Sequence, residues 1–132
     1  MSGERDLTKL LSGMRPDLRQ GPYVFTTVTG PAPVGLHPVV TVAEDEGTTL
    51  VLPRSEADAA GLPYDYVAGW ITLRVHSALA AVGLSAAVTT ALAEAGISCN
   101  VVAGHHHDHL FVPYEVASVA VATLEDLARR AG

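Results

Sequence analysis

Apolar positions along the chain switch repeatedly between helical and strand spacing. Leu7, Leu10 and Leu11 share one face of a short helix over residues 4–13, with Gly13 as a stop signal. Pro16 and Pro22 bracket a connection, and the β-branched and aromatic run 23–29 (YVFTTVT) predicts a strand. Residues 30–38 (GPAPVGLHP) read as an irregular loop. The runs 39–44 and 48–52 predict a hairpin turning at Asp45-Glu46-Gly47. Residues 55–61 predict a short helix with Ser55 as N-cap and Gly61 as stop, followed by the link 62–65.

The second half is more regular. Residues 67–75 alternate, with Ile71, Leu73 and Val75 on one face and Trp70, Thr72 and Arg74 on the other. Residues 84–95 predict the clearest helix, where Leu84, Val88, Ala91, Leu92 and Ala95 form one apolar stripe that ends at Gly96. Strands are expected at 97–103 and 107–112. A last helix is expected at 114–130, burying Val116, Val119, Ala120, Thr123, Leu124 and Leu127 and ending in Arg129 and Arg130. The order β-α-β-β-α implies an α+β fold with helices on one face of an antiparallel sheet. The first half, α-β-loop-β-β-α, is a degenerate echo of it.

Composition narrows the class. The 132 residues suit one domain or two small fused halves. Net charge is −6, with no basic run, so neither nucleic acid nor an anionic membrane surface is an expected partner. Cys99 is the only cysteine, which rules out an internal disulfide and a multi-cysteine zinc site; it reads as a small buried hydrophobe. The charged N-terminal segment does not read as a signal peptide, and the uncharged run 77–93 is too rich in Ala, Thr, Ser and Gly to read as a membrane span. A cytoplasmic location is expected.

The stretch ITLRVHS…VGLSAAVTTALAEAGIS (71–98) resembles an ACT domain, through Gly83-Leu84 at the strand-to-helix turn and Leu92-Ala93-Glu94-Ala95-Gly96-Ile97 at the helix end. Over nearly its full length the chain resembles a bacterial family of short proteins with two ACT-like halves. PYVF (22–25), EDEGTTLVLP (44–53), HSALAAVGL (76–84), NVVAG (100–104) and HDHLFVP (107–113) carry that likeness. The resemblance implies a ferredoxin-like βαββαβ sheet with helices on one face, in two fused halves at 1–63 and 64–132, the first degenerate. It also implies a homodimer, a non-enzymatic regulatory role, and an amino-acid ligand in a groove between halves or subunits. Two departures stand out. The strand ends in His76-Ser77 where many ACT domains have an acidic residue and a proline. The chain also stops after the last helix, so strand 23–29 is expected to cross over and complete the second sheet.

The turn 76–84 is the main candidate site. Backbone N–H groups opening the helix at Gly83, Leu84 and Ser85 suit a carboxylate. Ser77, Val82, Gly83 and Leu84 are the candidate residues there, joined by Asn100 and by His107 and Asp108, and Gly83→Val is expected to abolish binding with the fold intact. The bland alternative is a turn capped by Ser77 or water. On a strand His105, His107 and His109 would share one face, so a metal-binding protein or hydrolase is the second reading; the run falls at the expected hairpin turn, and the alternative is that His107 and Asp108 hydrogen-bond across that turn or line a pocket. An assembly module without a ligand is the third. Phosphate-loop, dinucleotide and nucleophile-elbow motifs are absent, and no cofactor is implied.

Overall fold

The structure, a computed structural model, describes residues 6–75 and 83–131. Its contacts form two compact units, one drawn from residues 1–20 and 69–132, the other from residues 21–68.

The first unit is built around strand β5. It contains α1 (Leu7–Gly13), β1 (Arg15–Leu18), β5 from Gly69 onward (the whole strand is Val67–Arg74), α3 (Leu84–Glu94), β6 (Asn100–Ala103), β7 (Asp108–Pro113) and α4 (Ala117–Ala131). Its strands run in the order β6-β7-β5-β1. Strand β1 was not foreseen. The segment treated as a connection pairs antiparallel with β5, Arg15 opposite Arg74 through Leu18 opposite Ile71. Pro16 masks this strand in the sequence, yet a proline is tolerated because β1 is an edge, paired on one side only. The strand that completes the βαββαβ order is therefore residues 15–18. The expected crossover strand, β2 (Tyr23–Val28), pairs along its length with β4 (Gly47–Pro53) and meets only Val67 and Ala68 of β5.

The core of this unit lies between the sheet and the helices. Leu10 and Met14 from the first helix and its cap pack with Ile71 and Leu73 of β5, Leu84, Val88 and Leu92 of α3, Leu110 and Val112 of β7, and Ala117, Ala120 and Leu124 of α4. Alternation along β5 and β7 puts these residues on the helix side. Gly69 lets α4 approach closely, since a Cβ there would lie 2.7 Å from the Ala117 methyl. The last helix keeps most of its expected face, with Ala120 and Leu124 buried and Val116 and Leu127 packed against the core. Residues 114–116 form a 3₁₀ turn, Ala117 joins the buried stripe, and Val119 is 53% exposed. Helix α1 begins at an Asp6 cap, whose carboxylate accepts from the Lys9 amide at 3.2 Å. Helix α3 closes with the Gly96 amide on the Ala93 carbonyl and the Ile97 amide on the Leu92 carbonyl, each 2.9 Å, a Schellman arrangement. Residues 97–99, expected to be strand, lie outside β6, and Ile97 serves this cap.

The second unit contains β2, β3 (Val40–Glu44), β4, α2 (Arg54–Ala59) and the start of β5. Its order, β3-β4-β2-β5, repeats that of the first unit. The first helix of the pattern is replaced by the proline-rich loop, as the degenerate reading expected. The loop is tied down by Glu56, which accepts from the His37 amide at 2.7 Å and faces its Nδ1 at 3.2 Å. Val24, Leu50, Leu52 and Ala57 form the core. Ser55 is not the cap of α2; the helix starts one residue earlier, after Pro53, with no side-chain cap.

The N-terminal segment thus belongs to the core of the first unit. Leu10→Ala is expected to destabilise it by about 3 kcal/mol, measured by urea unfolding. A change near zero would mean that α1 is not integral to the packing.

Candidate functional site

Helix α3 opens at Gly83, which holds the N-cap position with φ +99° and no side-chain cap. Its carbonyl accepts the first intrahelical bond, from the Ala87 amide at 2.8 Å. The amides of the first turn have no intrahelical acceptors, and the helix dipole adds positive potential there. Leu84 is buried in the core, only 3% exposed.

The β6–β7 hairpin brings residues 107 and 108 to this end of α3. Asp108 Oδ2 accepts from Ser85 Oγ at 3.4 Å, and His107 Nδ1 stands 3.4 Å from the Val75 carbonyl oxygen. The hairpin turn is closed by the Gly104 amide on the His107 carbonyl at 2.9 Å. Asn100 is not brought to this place. It opens β6 opposite Phe111, whereas Ala103 pairs with Asp108, so three residues of strand, about 10 Å, separate it from that end of the hairpin. Ser77 and Val82 lie outside the described residues.

A cleft of about 490 Å³ runs along α3 from Gly83 to Glu94, lined also by Leu7, Ala87, Thr90 and Arg130, and its lining does not include Ser85, His107 or Asp108. Leu7 leans over Gly83, its Cδ2 3.2 Å from where a Cβ would stand. The left-handed backbone and this contact both oppose a side chain at position 83.

The histidine run does not form the shared strand face that the metal reading requires. Residues 105–107 lie in the hairpin turn, and only His109 is on β7, so alternation does not align the three. No group of three His, Cys, Asp or Glu among the described residues is arranged to hold a metal ion. The rings of His105 and His106 meet edge to face, centroids 4.9 Å apart. Cys99 is half-buried, and burial pushes its thiol up to about 11.

One cluster was missed in the sequence. On the sheet face away from the helices, Trp70 Nε1 donates to His109 Nδ1 at 3.1 Å, and Thr72 Oγ1 lies 3.2 Å from the same nitrogen. Arg19 donates to Thr72 Oγ1 at 3.0 Å, with its guanidinium carbon 4.1 Å from the Trp70 ring centroid. An acceptor at Nδ1 requires a neutral ring protonated at Nε2. Burial holds the imidazole below its ordinary value, and His107 and Arg19 push the same way. The signal was the polar second face of strand 67–75, but Arg19 reaches it only because β1 pairs with β5.

The two units share one strand order with helices on one face, and this is the ACT-type α+β fold in tandem. The chain belongs to the ACT-domain family, which it matches over residues 2–69 and again over 66–126. A crystal structure from Vibrio cholerae, of a protein of unknown function described as a possible transport protein, is 48% identical. It superimposes with a TM-score of 0.85 over 92% of this chain and 95% of that one. A protein from Agrobacterium tumefaciens is 19% identical, with a TM-score of 0.65 over 87% of this chain and 89% of that one. The ligand-free regulatory subunit of aspartate kinase from Thermus thermophilus is 9% identical, with a TM-score of 0.64 over 85% and 95%. These last two likenesses show the fold alone. A sequence search of curated proteins finds no match. No helix among the described residues is long and apolar enough to cross a membrane.

Two outcomes follow. The depressed His109 means that the unfolded chain binds the proton more readily, so this group's contribution to stability is complete above about pH 6.5. It is lost as the pH falls through 6.5 and below the folded value. Fluorescence of Trp70, the sole tryptophan, is expected to change over that range and to stay flat in His109→Gln. Gly83→Val is expected to cost about 2 kcal/mol of stability through backbone strain, seen as a lower urea midpoint. It is therefore not the fold-neutral test of binding that the sequence suggested.

Proposed function

We propose that this chain is a non-enzymatic regulatory protein that binds an amino acid at the opening of α3. Its tandem ACT domains support a small-molecule-binding, regulatory role. The observation that carries the amino-acid reading is the pairing of opposite polarities within one helical turn. The uncapped start of α3 offers amide donors to a carboxylate, and the Asp108 carboxylate, at Ser85 of the same turn, offers an acceptor to an ammonium group. A zwitterion satisfies both.

In this reading Gly83 and Leu84 hold the ligand carboxylate through their backbone, joined by Ser77 and Val82. Asp108 takes the amine, and His107 orients the hairpin through Val75. Asn100 is left without a role. A ligand that bridges α3 and the hairpin favours the conformation in which the two are in register, which is the thermodynamic basis of a response. A second copy of the chain and a cytoplasmic setting complete the proposal.

A thermal-shift screen with the twenty amino acids tests it. A ligand at a hundred times its Kd is expected to add about 2.7 kcal/mol of stability. Asp108→Asn is expected to weaken that ligand about ten-fold, the effect of removing a charge-assisted bond worth about 1.4 kcal/mol. No response to any amino acid overturns the reading, and so does a response that Asp108→Asn leaves intact.

A further inference from the structure

Strand β2 outruns its partner on one side. Only Tyr23 and Val24 pair with β5; beyond them the link at residues 63–65 runs beside the strand, held by Thr26 Oγ1 donating to the Pro63 carbonyl at 2.6 Å. An open cleft of about 540 Å³ lies along this edge, within the second unit. Phe25 and Tyr64 contribute aromatic rings to its lining. Tyr64 is steadied by donating its hydroxyl hydrogen to Asp58 at 2.7 Å, and Phe25 by an edge-to-face contact with Tyr66, centroids 5.6 Å apart.

Two polar groups of the lining have no use in the fold. The Asp65 carboxylate makes no hydrogen bond or ion pair among the described residues, and neither does the Thr27 hydroxyl. No cationic side chain among the described residues lines the cleft. Charge is also unevenly shared along the chain. Residues 21–68 hold Glu44, Asp45, Glu46, Glu56, Asp58 and Asp65 against Arg54 alone, six negative charges and one positive, which leaves −5 of the whole chain's −6. A field of that sign concentrates cations and repels carboxylates.

From the cleft, its unused acceptors and this field together, we propose that the edge of β2 binds an organic cation, an amine with an apolar body. The ammonium sits on Asp65 and the Thr27 hydroxyl, and the body lies against Phe25 and Tyr64, where aromatic faces favour a cation and its hydrocarbon alike. The ligand lacks a carboxylate, which separates it from the zwitterion assigned to α3. The two sites share no residue, and either stands if the other fails.

Backbone-amide NMR of the full chain with phenethylamine tests this. Saturable shifts are expected at Thr26, Thr27, Thr49, Tyr64 and Asp65. Affinity is expected to fall about five-fold in Asp65→Asn and to weaken with added salt. Asp65 is exposed, so that variant leaves the packing untouched. Phenylpropionate, of the same shape and opposite charge, is expected to produce no shift there. The proposal is overturned if phenethylamine gives no saturable shift at these residues or shifts only those opening α3. It is equally overturned if phenylpropionate binds as well or if Asp65→Asn keeps the wild-type affinity.

Discussion

Strand β5 would present an open edge from Ile71 to Arg74 if residues 15–18 did not pair with it. Unpaired amides and carbonyls beside a packed core are costly, and an open edge invites pairing with other chains. The β1–β5 ladder covers that edge and carries Leu10 and Met14, immediately before it, under the helices. The same ladder is continued by Arg19, whose backbone amide donates to the Trp70 carbonyl at 2.8 Å. From there its side chain reaches Thr72 and stacks on Trp70. One short pairing therefore completes the sheet, positions part of the core and assembles the polar cluster on the opposite face.

The arrangement explains how the elements β5-α3-β6-β7-α4 satisfy a βαββαβ pattern. In the second unit the order β3-β4-β2-β5 is made by consecutive strands; in the first, the same order takes its last strand from the beginning of the chain. The α3 site depends on the hairpin between β6 and β7. Because Ala103 pairs with Asp108, the turn end carries the carboxylate to the helix opening, and Asn100 is left at the other end. The chemistry of each candidate site follows from its own surroundings, backbone donors with one carboxylate at α3, aromatic rings with one unused carboxylate beside β2.

Much of this was legible along the chain. The stripe of Leu84, Val88 and Leu92, the alternation of Ile71 and Leu73 against Trp70 and Thr72, and the hairpin at Asp45-Glu46 depend on spacing and turn chemistry, which are local. The last helix was legible in existence and in most of its buried face, with Ala120 and Leu124 in the core, but Ala117, where the 3₁₀ turn passes into the helix, is buried and Val119 is exposed. Strand β1 was illegible because Pro16 argues against a strand until the edge position is known. Of the candidate site, the helix opening at Gly83 was read from the resemblance, whereas the contact of Asp108 with Ser85 is set by the hairpin register. The His109 cluster was not, since its four members come from three strands or their flanks and converge only when these pair.

Read alone, the chain determined its α+β class, its ACT kinship, the order of its main elements and the acidic balance of residues 21–68, because periodicity, turn residues and charge are properties of neighbours. Tertiary structure decided which strand closes each sheet, which histidine is held neutral, and which polar groups stand together at the start of α3 and along β2. Those choices rest on pairings between segments distant along the chain, from 23 residues apart for Ser85 and Asp108 to 59 for Arg15 and Arg74. Edge strands carry too weak a local pattern to reveal their partner, and only the geometry of the folded sheet selects it.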